Sequence, residues 1–253
     1  MSAASNLDSS VALLEAAAGR AGVRLFHHED LDGFAEAYAA LGRGSMTPVI
    51  TGPPQPAVGW WCEFRNAEGT LVGLQGARLL GELEVDLRGY LVARLGDFLP
   101  LEEGMDPSCS TVVSQAAAEL GGRTVYHSSF YLEPEVRGRG LAALLFRHAH
   151  LMAWQRWQPD LFFGIAIPSS RTPKFAARMG YSGFESDAFI WRTADPDGPV
   201  VQEGLVWAGP ARMRELARDP LEGLPAHYSD LIEQGQRPVA IDLGDNRKAR
   251  RRG

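Results

Sequence analysis

The feature that most constrains this chain is a strand–helix–strand–helix pattern in its second half. Residues 123–133 alternate as a strand does, and apolar residues then recur at helical spacing through 137–157. Residues 161–168 form a short apolar run that predicts a buried strand, and 171–180 predicts a short helix that a glycine ends. This order of elements predicts an α/β structure in which helix 137–157 packs on a sheet.

Other segments carry weaker patterns. The proline-rich residues 43–59 are predicted to be a loop, and 81–122 are interpreted as an insertion with a helix around SCSTVVSQAAAELGG. The remaining predicted elements are a helix over 9–19, a strand over 23–30, a helix over 30–42, a hairpin over 60–80 around NAEG, two strands over 188–209 around DPDG, and a helix over 210–234.

Composition narrows the class of protein. The chain has 253 residues, of which 45% are hydrophobic and 22% charged, so it can bury a substantial core. Its net charge of -6 gives no general attraction to nucleic acid or to an anionic membrane. Cys62 and Cys109 have no metal-ligand or redox spacing, and no apolar run reaches the length of a membrane span. We therefore expect a cytoplasmic protein whose partners are small molecules.

A cluster of arginines and glycines opens helix 137–157. In the stretch EPEVRGRGLAALL, Gly138 and Gly140 let a ligand approach the backbone, and Arg137 and Arg139 add positive charge. The first turn of a helix has backbone N–H groups without intrahelical partners and carries the positive end of the helix dipole. Because cations at that end oppose the dipole and need a compensating anion, the pattern predicts a phosphate or pyrophosphate site.

The same residues also fit a dinucleotide-binding fingerprint, since GRGLAA matches G-x-G-x-x-G/A. Two neighbouring features argue against a Rossmann unit. Glu133 and Glu135 intervene between the strand and the glycine turn, where they would place carboxylates near a pyrophosphate. After the next strand, where an acidic residue would hold a ribose, the chain has Pro168, Ser169 and Ser170. Support for a dinucleotide site is therefore weak.

Two motifs resemble the GNAT superfamily of N-acyltransferases. Arg137-x-x-Gly140-x-Ala142 matches its acyl-CoA signature, R/Q-x-x-G-x-G/A, and follows YLEPEV as that family's strand and proline do. The stretch FAARMGY is similar to the family's helix that ends in Gly-Phe or Gly-Tyr, and it follows the expected strand. The resemblance is close over 123–192 and loose over 22–209.

The resemblance implies an α/β (α+β) fold. It predicts a mixed, mostly antiparallel central sheet with flanking helices and with splayed parallel strands around the CoA site. The domain organisation that follows is an N-terminal helical extension (1–21), a GNAT-like acyltransferase domain (22–209) with an insertion at about 81–122, and a C-terminal helical extension with a basic tail (210–253).

The resemblance also implies acetyl-CoA as the acyl donor. In this family the pantetheine arm pairs with the strand before the glycine turn, and the pyrophosphate lies on the turn and the helix N-terminus. The cofactor-binding residues that it implies are Phe130, Tyr131, Leu132, Arg137, Gly138, Arg139, Gly140, Leu141, Ala142 and Ser169.

The implied reaction is direct attack of a primary amine on the thioester, which needs a base, an oxyanion site and an acid for the thiolate. The chain departs from the family at two positions: Ala176 replaces a tyrosine that is the usual general acid, and Ser169 replaces a frequent asparagine. His127 and Glu63 are candidate bases, and Tyr131 is a candidate acid. Strand alternation predicts one face with His127, Ser129, Tyr131 and Glu133 and another with Tyr126, Ser128 and Phe130.

No metal is assigned from the sequence. His27 and His28 lie beside Glu29 and Asp30, a composition that suits a metal site. Adjacent residues of a strand, however, point to opposite faces and cannot easily converge on one ion.

Three functions stay open at this point. The leading one is an acetyl-CoA-dependent N-acetyltransferase that acts on a small-molecule or peptide amine. The second is a catalytically silent acyl-CoA-binding sensor or regulatory module, which Ala176 and Ser169 favour. The third is a module that binds RNA through the basic residues 247–252, although cations at a terminus are usually just solvated. We expect neither nucleic acid nor a membrane as a partner, and a homodimer is left open.

Overall fold

The fold is seen in a computed structural model that describes residues 3–42, 58–98, 104–167 and 172–228. Within these ranges, no helix combines the length and the apolar character that crossing a membrane requires. Helices α1 to α6 are Ala3–Arg20, Leu31–Ala40, Leu87–Ala93, Leu141–Trp157, Pro173–Met179 and Pro210–Arg218. Strands β1 to β8 are Arg24–His28, Val58–Arg65, Leu71–Glu82, Thr111–Val112, Arg123–Leu132, Leu161–Ala166, Gly183–Arg192 and Val200–Ala208.

These strands form one sheet in the order β1-β2-β3-β5-β6-β8-β7-β4. Neighbouring strands pair antiparallel, except that β5 and β6 are parallel. Helix α4 connects β5 to β6, and such a crossover lets two consecutive strands run in the same direction. The predicted mixed, mostly antiparallel sheet with flanking helices is thereby confirmed.

Helices cover both faces of the sheet. On one face, which we name the α4 face, α1 and α4 bury residues such as Leu14 and Leu144 in a common core that α5 and α6 complete. On the other, which we name the α2 face, α2 and α3 bury residues such as Phe34 and Leu91 against the sheet. The sheet is therefore the middle layer of three, and each core removes apolar surface from water.

Several elements differ from their sequence predictions. Helix α4 begins at Leu141 rather than at residue 137, because Gly138 and Gly140 have positive φ angles that a helix does not allow. The helix predicted over 210–234 is interrupted after Arg218, helical residues resume at 226–228, and 229–234 lie outside the described residues. The helix predicted around SCSTVVSQAAAELGG is wrong: Thr111–Val112 pairs with β7 as a strand, as its β-branched residues favour, and Ala116–Glu119 is a single 3-10 turn.

Candidate functional site

An opening in the sheet lies between β5 and β6. Three residue pairs join these strands, and the last pair is Tyr126 with Phe163. Beyond it, β5 continues to Leu132 along β3, whereas β6 continues to Ala166 along β8. No further pair links the two strands in the described residues. An extended ligand that carries amide groups can therefore align with the two facing backbone edges.

A β-bulge interrupts β5 where it borders the opening. Two residues of β5, Ser129 and Phe130, oppose the single residue Gln75 of β3. Ser129 has φ of 60°, in the left-handed region that residues with a β-carbon rarely adopt. A bulge leaves one residue outside the regular ladder and re-aims the groups around it.

The bulge changes which side chains share a face. Alternation predicted His127 and Phe130 on opposite faces, and this prediction is wrong, because both rings contact Phe146 of α4, with centroid distances of 5.1 and 4.4 Å. Tyr131 pairs with Leu74, whose side chain is buried in the core of the α2 face. His127 and Tyr131, which alternation placed together, therefore lie on opposite faces of the sheet.

The glycine turn between β5 and α4 has the geometry of an anion site. Gly138 has φ of +85°, and a β-carbon there would meet no described atom within 4 Å, so a ligand has room to approach this backbone. The first helical hydrogen bond runs from the Leu144 N–H to the Gly140 carbonyl, which leaves the N–H groups of 141–143 without helical partners. The Arg137 Nε donates to the Leu132 carbonyl at 2.8 Å and holds the guanidinium beside the turn.

A segment from the C-terminal part of the chain braces this turn. The Tyr228 hydroxyl, which is buried, donates to the Arg139 carbonyl at 3.0 Å. A β-carbon at Gly140 would lie 2.8 Å from Pro225, so this glycine is needed for the close approach. Sequence reasoning missed both contacts, because it extended the helix predicted over 210–234 through these residues. Pro225 was the available signal, since proline interrupts a helix.

His127 lies in an aromatic enclosure on the α4 face. Its ring stacks on Phe162 at a centroid distance of 5.3 Å, and its Nδ1 lies 3.3 Å from the Tyr181 hydroxyl. Burial, with a smaller contribution from the charge of His150, lowers the pKa of His127 to about 3. The imidazole is therefore neutral at physiological pH, where the Tyr181 hydroxyl can donate to it. A base with so low a pKa has little power to deprotonate an ammonium group.

Glu63 and Tyr131, the other two candidates, lie on the α2 face in one cross-strand row. Each pairs with Leu74, Glu63 from β2 and Tyr131 from β5. Two strand spacings place their backbones about 10 Å apart. A small acceptor can therefore reach both groups from one side of the sheet.

The polar environment of Glu63 is well defined. Its Oε2 accepts from the Arg65 Nε at 2.6 Å, and its Oε1 lies 3.6 Å from the His28 Nε2. The His28 ring stacks on Trp61 at 4.2 Å, and burial lowers the pKa of His28, which favours the neutral imidazole. The carboxylate is thus held between a cation and a neutral ring, with a small part of its side chain open to solvent.

The proposed acid has its own partners. The Tyr131 hydroxyl donates to the Glu133 Oε2 at 2.8 Å, and the Arg137 guanidinium lies 5.5 Å from the Tyr131 ring centroid. Tyr131 thereby connects the α2 face to the glycine turn. Ala176, at the position where the family often has its acid, is buried in α5. Its methyl group cannot donate a proton. The structure therefore offers no general acid at this position, as the sequence indicated.

Some sequence predictions fall outside the described residues. These are Ser169, most of the proline-rich loop over 43–59, and the basic tail over 247–252. Phe130, Leu132, Leu141 and Ala142 are all described, and they border the opening or the first turn of α4.

Comparisons with known proteins give similarity at the level of structure alone. No family model matches the sequence, and no curated protein matches it. Spermidine/spermine N-acetyltransferase SpeG from Vibrio cholerae is similar with a TM-score of 0.42 and 12% identity, over 78% of this chain and 97% of that one. NAA60 from Arabidopsis thaliana, solved with a bisubstrate analogue, is similar with a TM-score of 0.40 and 12% identity, over 73% of this chain and 97% of that one. At these values neither likeness carries a substrate or a catalytic residue over to this chain.

Proposed function

We propose that this GNAT-fold chain is an N-acetyltransferase that moves the acetyl group of acetyl-CoA to a primary amine. The observation that carries the proposal is that the unpaired strand edges, the glycine turn and the helix N-terminus follow one another along the chain. The opening between β5 and β6 leads to the glycine turn, and the turn leads to the first N–H groups of α4. Amide-bearing pantetheine suits the open strand edges, and pyrophosphate suits the helix N-terminus.

In this proposal the donor is held by backbone and by two arginines. The facing edge of Phe130 to Leu132 lies along the pantetheine arm. The N–H groups of 138–142 and the side chains of Arg137 and Arg139 surround the pyrophosphate. Both arginine side chains are exposed; the Arg137 Nε bond to the Leu132 carbonyl leaves its terminal nitrogens available to a phosphate.

The acceptor amine approaches on the α2 face, where Glu63 takes a proton from its ammonium group. The neutral amine then attacks the thioester carbon, and a backbone N–H near the Ser129 bulge stabilises the oxyanion. When the intermediate collapses, the carbon–sulfur bond breaks and the thiolate takes the proton of the Tyr131 hydroxyl. The resulting tyrosinate takes the second proton from the nitrogen, which leaves the neutral amide. Glu63 is preferred to His127 as the base, because Glu63 shares the α2 face with Tyr131 whereas His127 faces α4.

The first test is binding and turnover with purified full-length protein. Calorimetry with acetyl-CoA and with desulfo-CoA measures donor binding, and release of free thiol is followed with aliphatic diamines, amino acid esters and short peptides. We expect acetyl-CoA binding and amine-dependent thiol release, with the acetylated acceptor identified by mass spectrometry. A chain that does not bind acetyl-CoA would contradict the proposal as a whole.

The second candidate is a catalytically silent acyl-CoA sensor. The observation that favours it is Ala176, a buried methyl group at the position of the usual acid. A sensor would be stabilised against heat by acetyl-CoA but would release no thiol with any amine. The same pair of measurements therefore separates the two functions.

A further inference from the structure

Three side chains of metal-ligand type meet on the α4 face, away from the opening between β5 and β6. They are Glu15 of α1, His27 of β1 and His148 of α4. The Glu15 Oε1 lies 2.7 Å from the His27 Nε2 and 3.2 Å from the His148 Nε2, and the three ligand atoms lie within 4.8 Å of one another. We propose that these residues bind a divalent transition-metal ion, with Zn²⁺ as the best fit, and that the ion fastens α1 to the sheet and to α4. This site is independent of the proposed acetyl transfer.

The distances suit zinc. Zinc binds imidazole nitrogen at about 2.0–2.1 Å and carboxylate oxygen at about 2.0–2.2 Å, so ligand atoms around a tetrahedral ion are separated by about 3.3 Å. The two separations from the Glu15 Oε1, 2.7 and 3.2 Å, are shorter than that value by about 0.6 and 0.1 Å. Small rotations of the side chains therefore suffice to admit the ion, and the backbone need not move.

The donor set selects the class of ion. Two imidazoles and one carboxylate suit Zn²⁺ and its neighbours among the transition metals, whereas Mg²⁺ and Ca²⁺ prefer oxygen ligands. Three protein ligands leave a fourth position for water or for another side chain. No lysine or arginine of the described residues forms an ion pair with Glu15, so a bound cation would compensate its buried negative charge.

Buried polar atoms around the cluster lack partners. Gln75 is fully buried with its Nε2 3.4 Å from the His148 Nδ1, while its Oε1 has no partner among the described residues. The fully buried Trp60, whose ring lies edge-on to His148 at 6.3 Å, also has an unpartnered Nε1. The oxygen and the nitrogen of the Gln75 side-chain amide exchange positions when the amide group is turned over. In the flipped orientation the Gln75 oxygen accepts from the His148 Nδ1–H, which is the tautomer that a ligand through Nε2 requires.

The chain offers a matched control at the neighbouring position. His28 follows His27 in β1, but its ring points to the α2 face and stacks on Trp61. The sequence argument that these two histidines cannot share an ion therefore holds for the pair. It missed the cluster because Glu15 and His148 are 133 positions apart and only the fold brings them to His27.

The test uses full-length protein without an affinity tag, stripped of metal with EDTA and dialysed. Zinc binding is measured by calorimetry, and Co²⁺ is added separately because its visible absorption reports the coordination geometry. We expect one Zn²⁺ per chain and a tetrahedral Co²⁺ spectrum. At a zinc concentration about 100 times the Kd, the thermal midpoint should rise by roughly 5 to 10 °C.

Substitutions test which residues bind the ion. We expect His148→Ala and Glu15→Gln each to weaken zinc binding by more than the roughly 10- to 100-fold that loss of an outer-shell partner costs. His28→Ala should bind zinc as the unaltered chain does. Glu15→Gln keeps the size of the side chain, so it decides the question if His148→Ala fails to fold. The proposal is overturned if the unaltered chain binds no zinc, or if Glu15→Gln binds it equally well; the cluster is then a hydrogen-bond network only.

Discussion

The Tyr228 hydroxyl donates a hydrogen bond to the carbonyl of Arg139, 89 positions earlier in the chain. This bond joins the segment after α6 to the glycine turn at the start of α4. The Arg139 side chain is exposed. The bond therefore holds the backbone of Arg139 while its guanidinium stays available to a ligand. The precision of the proposed pyrophosphate site thus depends on residues far outside the motif.

We expect Tyr228→Phe to weaken donor binding without abolishing it. The substitution removes one hydroxyl from a buried ring and leaves the Arg139 carbonyl without that donor. The free energy of unfolding should fall by about 1 kcal/mol, and the Kd for acetyl-CoA should rise by about 2- to 5-fold. Denaturant unfolding and calorimetry measure the two effects. A loss of stability with unchanged affinity would show that the brace does not influence the turn.

A second prediction concerns Gly138, where there is room for a side chain. We expect Gly138→Asp to raise the Kd for acetyl-CoA by at least about 10-fold, because it places a carboxylate beside the pyrophosphate. Gly138→Asn is the matched control, since asparagine has nearly the same shape and tolerates the same positive φ. It should stay within about 3-fold of the unaltered chain. Equal losses in the two variants would point to backbone strain instead of charge.

A third prediction separates the two candidate bases. Glu63→Gln should lower kcat/KM by roughly 100-fold or more, with little change in donor binding, because it removes the proposed proton acceptor. His127→Gln should leave the pH–rate profile unchanged above pH 6, since the pKa of His127 is about 3 and its ring carries no charge there. Steady-state rates from pH 6 to 9 provide the measurement. If His127→Gln alters the pH–rate profile and Glu63→Gln does not, His127 is the base.

A fourth prediction concerns stability in mild acid. Burial lowers the pKa values of both His127 and His150 from 6.5 to about 3. The unfolded chain therefore binds these protons at a higher pH than the folded chain does. The stability that results is fully present above pH 6.5 and is lost as pH falls toward 3.

The change in the free energy of unfolding with pH can be measured above the pH range in which most carboxylates titrate. Each histidine contributes up to about 1.4 kcal/mol per pH unit, so the two together contribute up to about 2.7 kcal/mol per unit. Denaturant unfolding between pH 6 and 5, with EDTA present, should show this decline, and His127→Gln should reduce its slope by up to about 1.4 kcal/mol per pH unit. A stability that does not change across this interval would mean that both rings already bind protons in the folded chain.

The glycine turn before α4 was predictable from sequence because it is local; its role as the donor site stays a prediction. Arg137, Gly138 and Gly140 lie within four positions of one another, and their chemistry follows from the start of a helix. The fold class was predictable for a similar reason, since the strand–helix–strand unit and the two motifs constrain one another. Helix α4 itself was predicted to within four residues at its first turn.

The faces of β5 and the distant contacts could not be predicted in this way. One residue with positive φ, Ser129, reverses the alternation beyond it, and nothing in the letters YHSSFY marks which residue bulges. The contact of Tyr228 with Arg139 depends on where α6 ends and on how the following residues turn back. Such features arise from tertiary packing, which overrides local periodicity.

The three pairs between β5 and β6 divide the sheet into two half-sheets, β1-β2-β3-β5 and β6-β8-β7-β4. Within each half every ladder has at least five residue pairs, except that of the two-residue edge strand β4, so the seam is the weakest ladder between the longer strands. A thioester cofactor that lies along this seam would bond to one half-sheet on each side. It would then take the place of a strand between the two half-sheets. In each round of acetyl transfer the cofactor would leave this place and be replaced, so the bridge between the half-sheets would be broken and formed again.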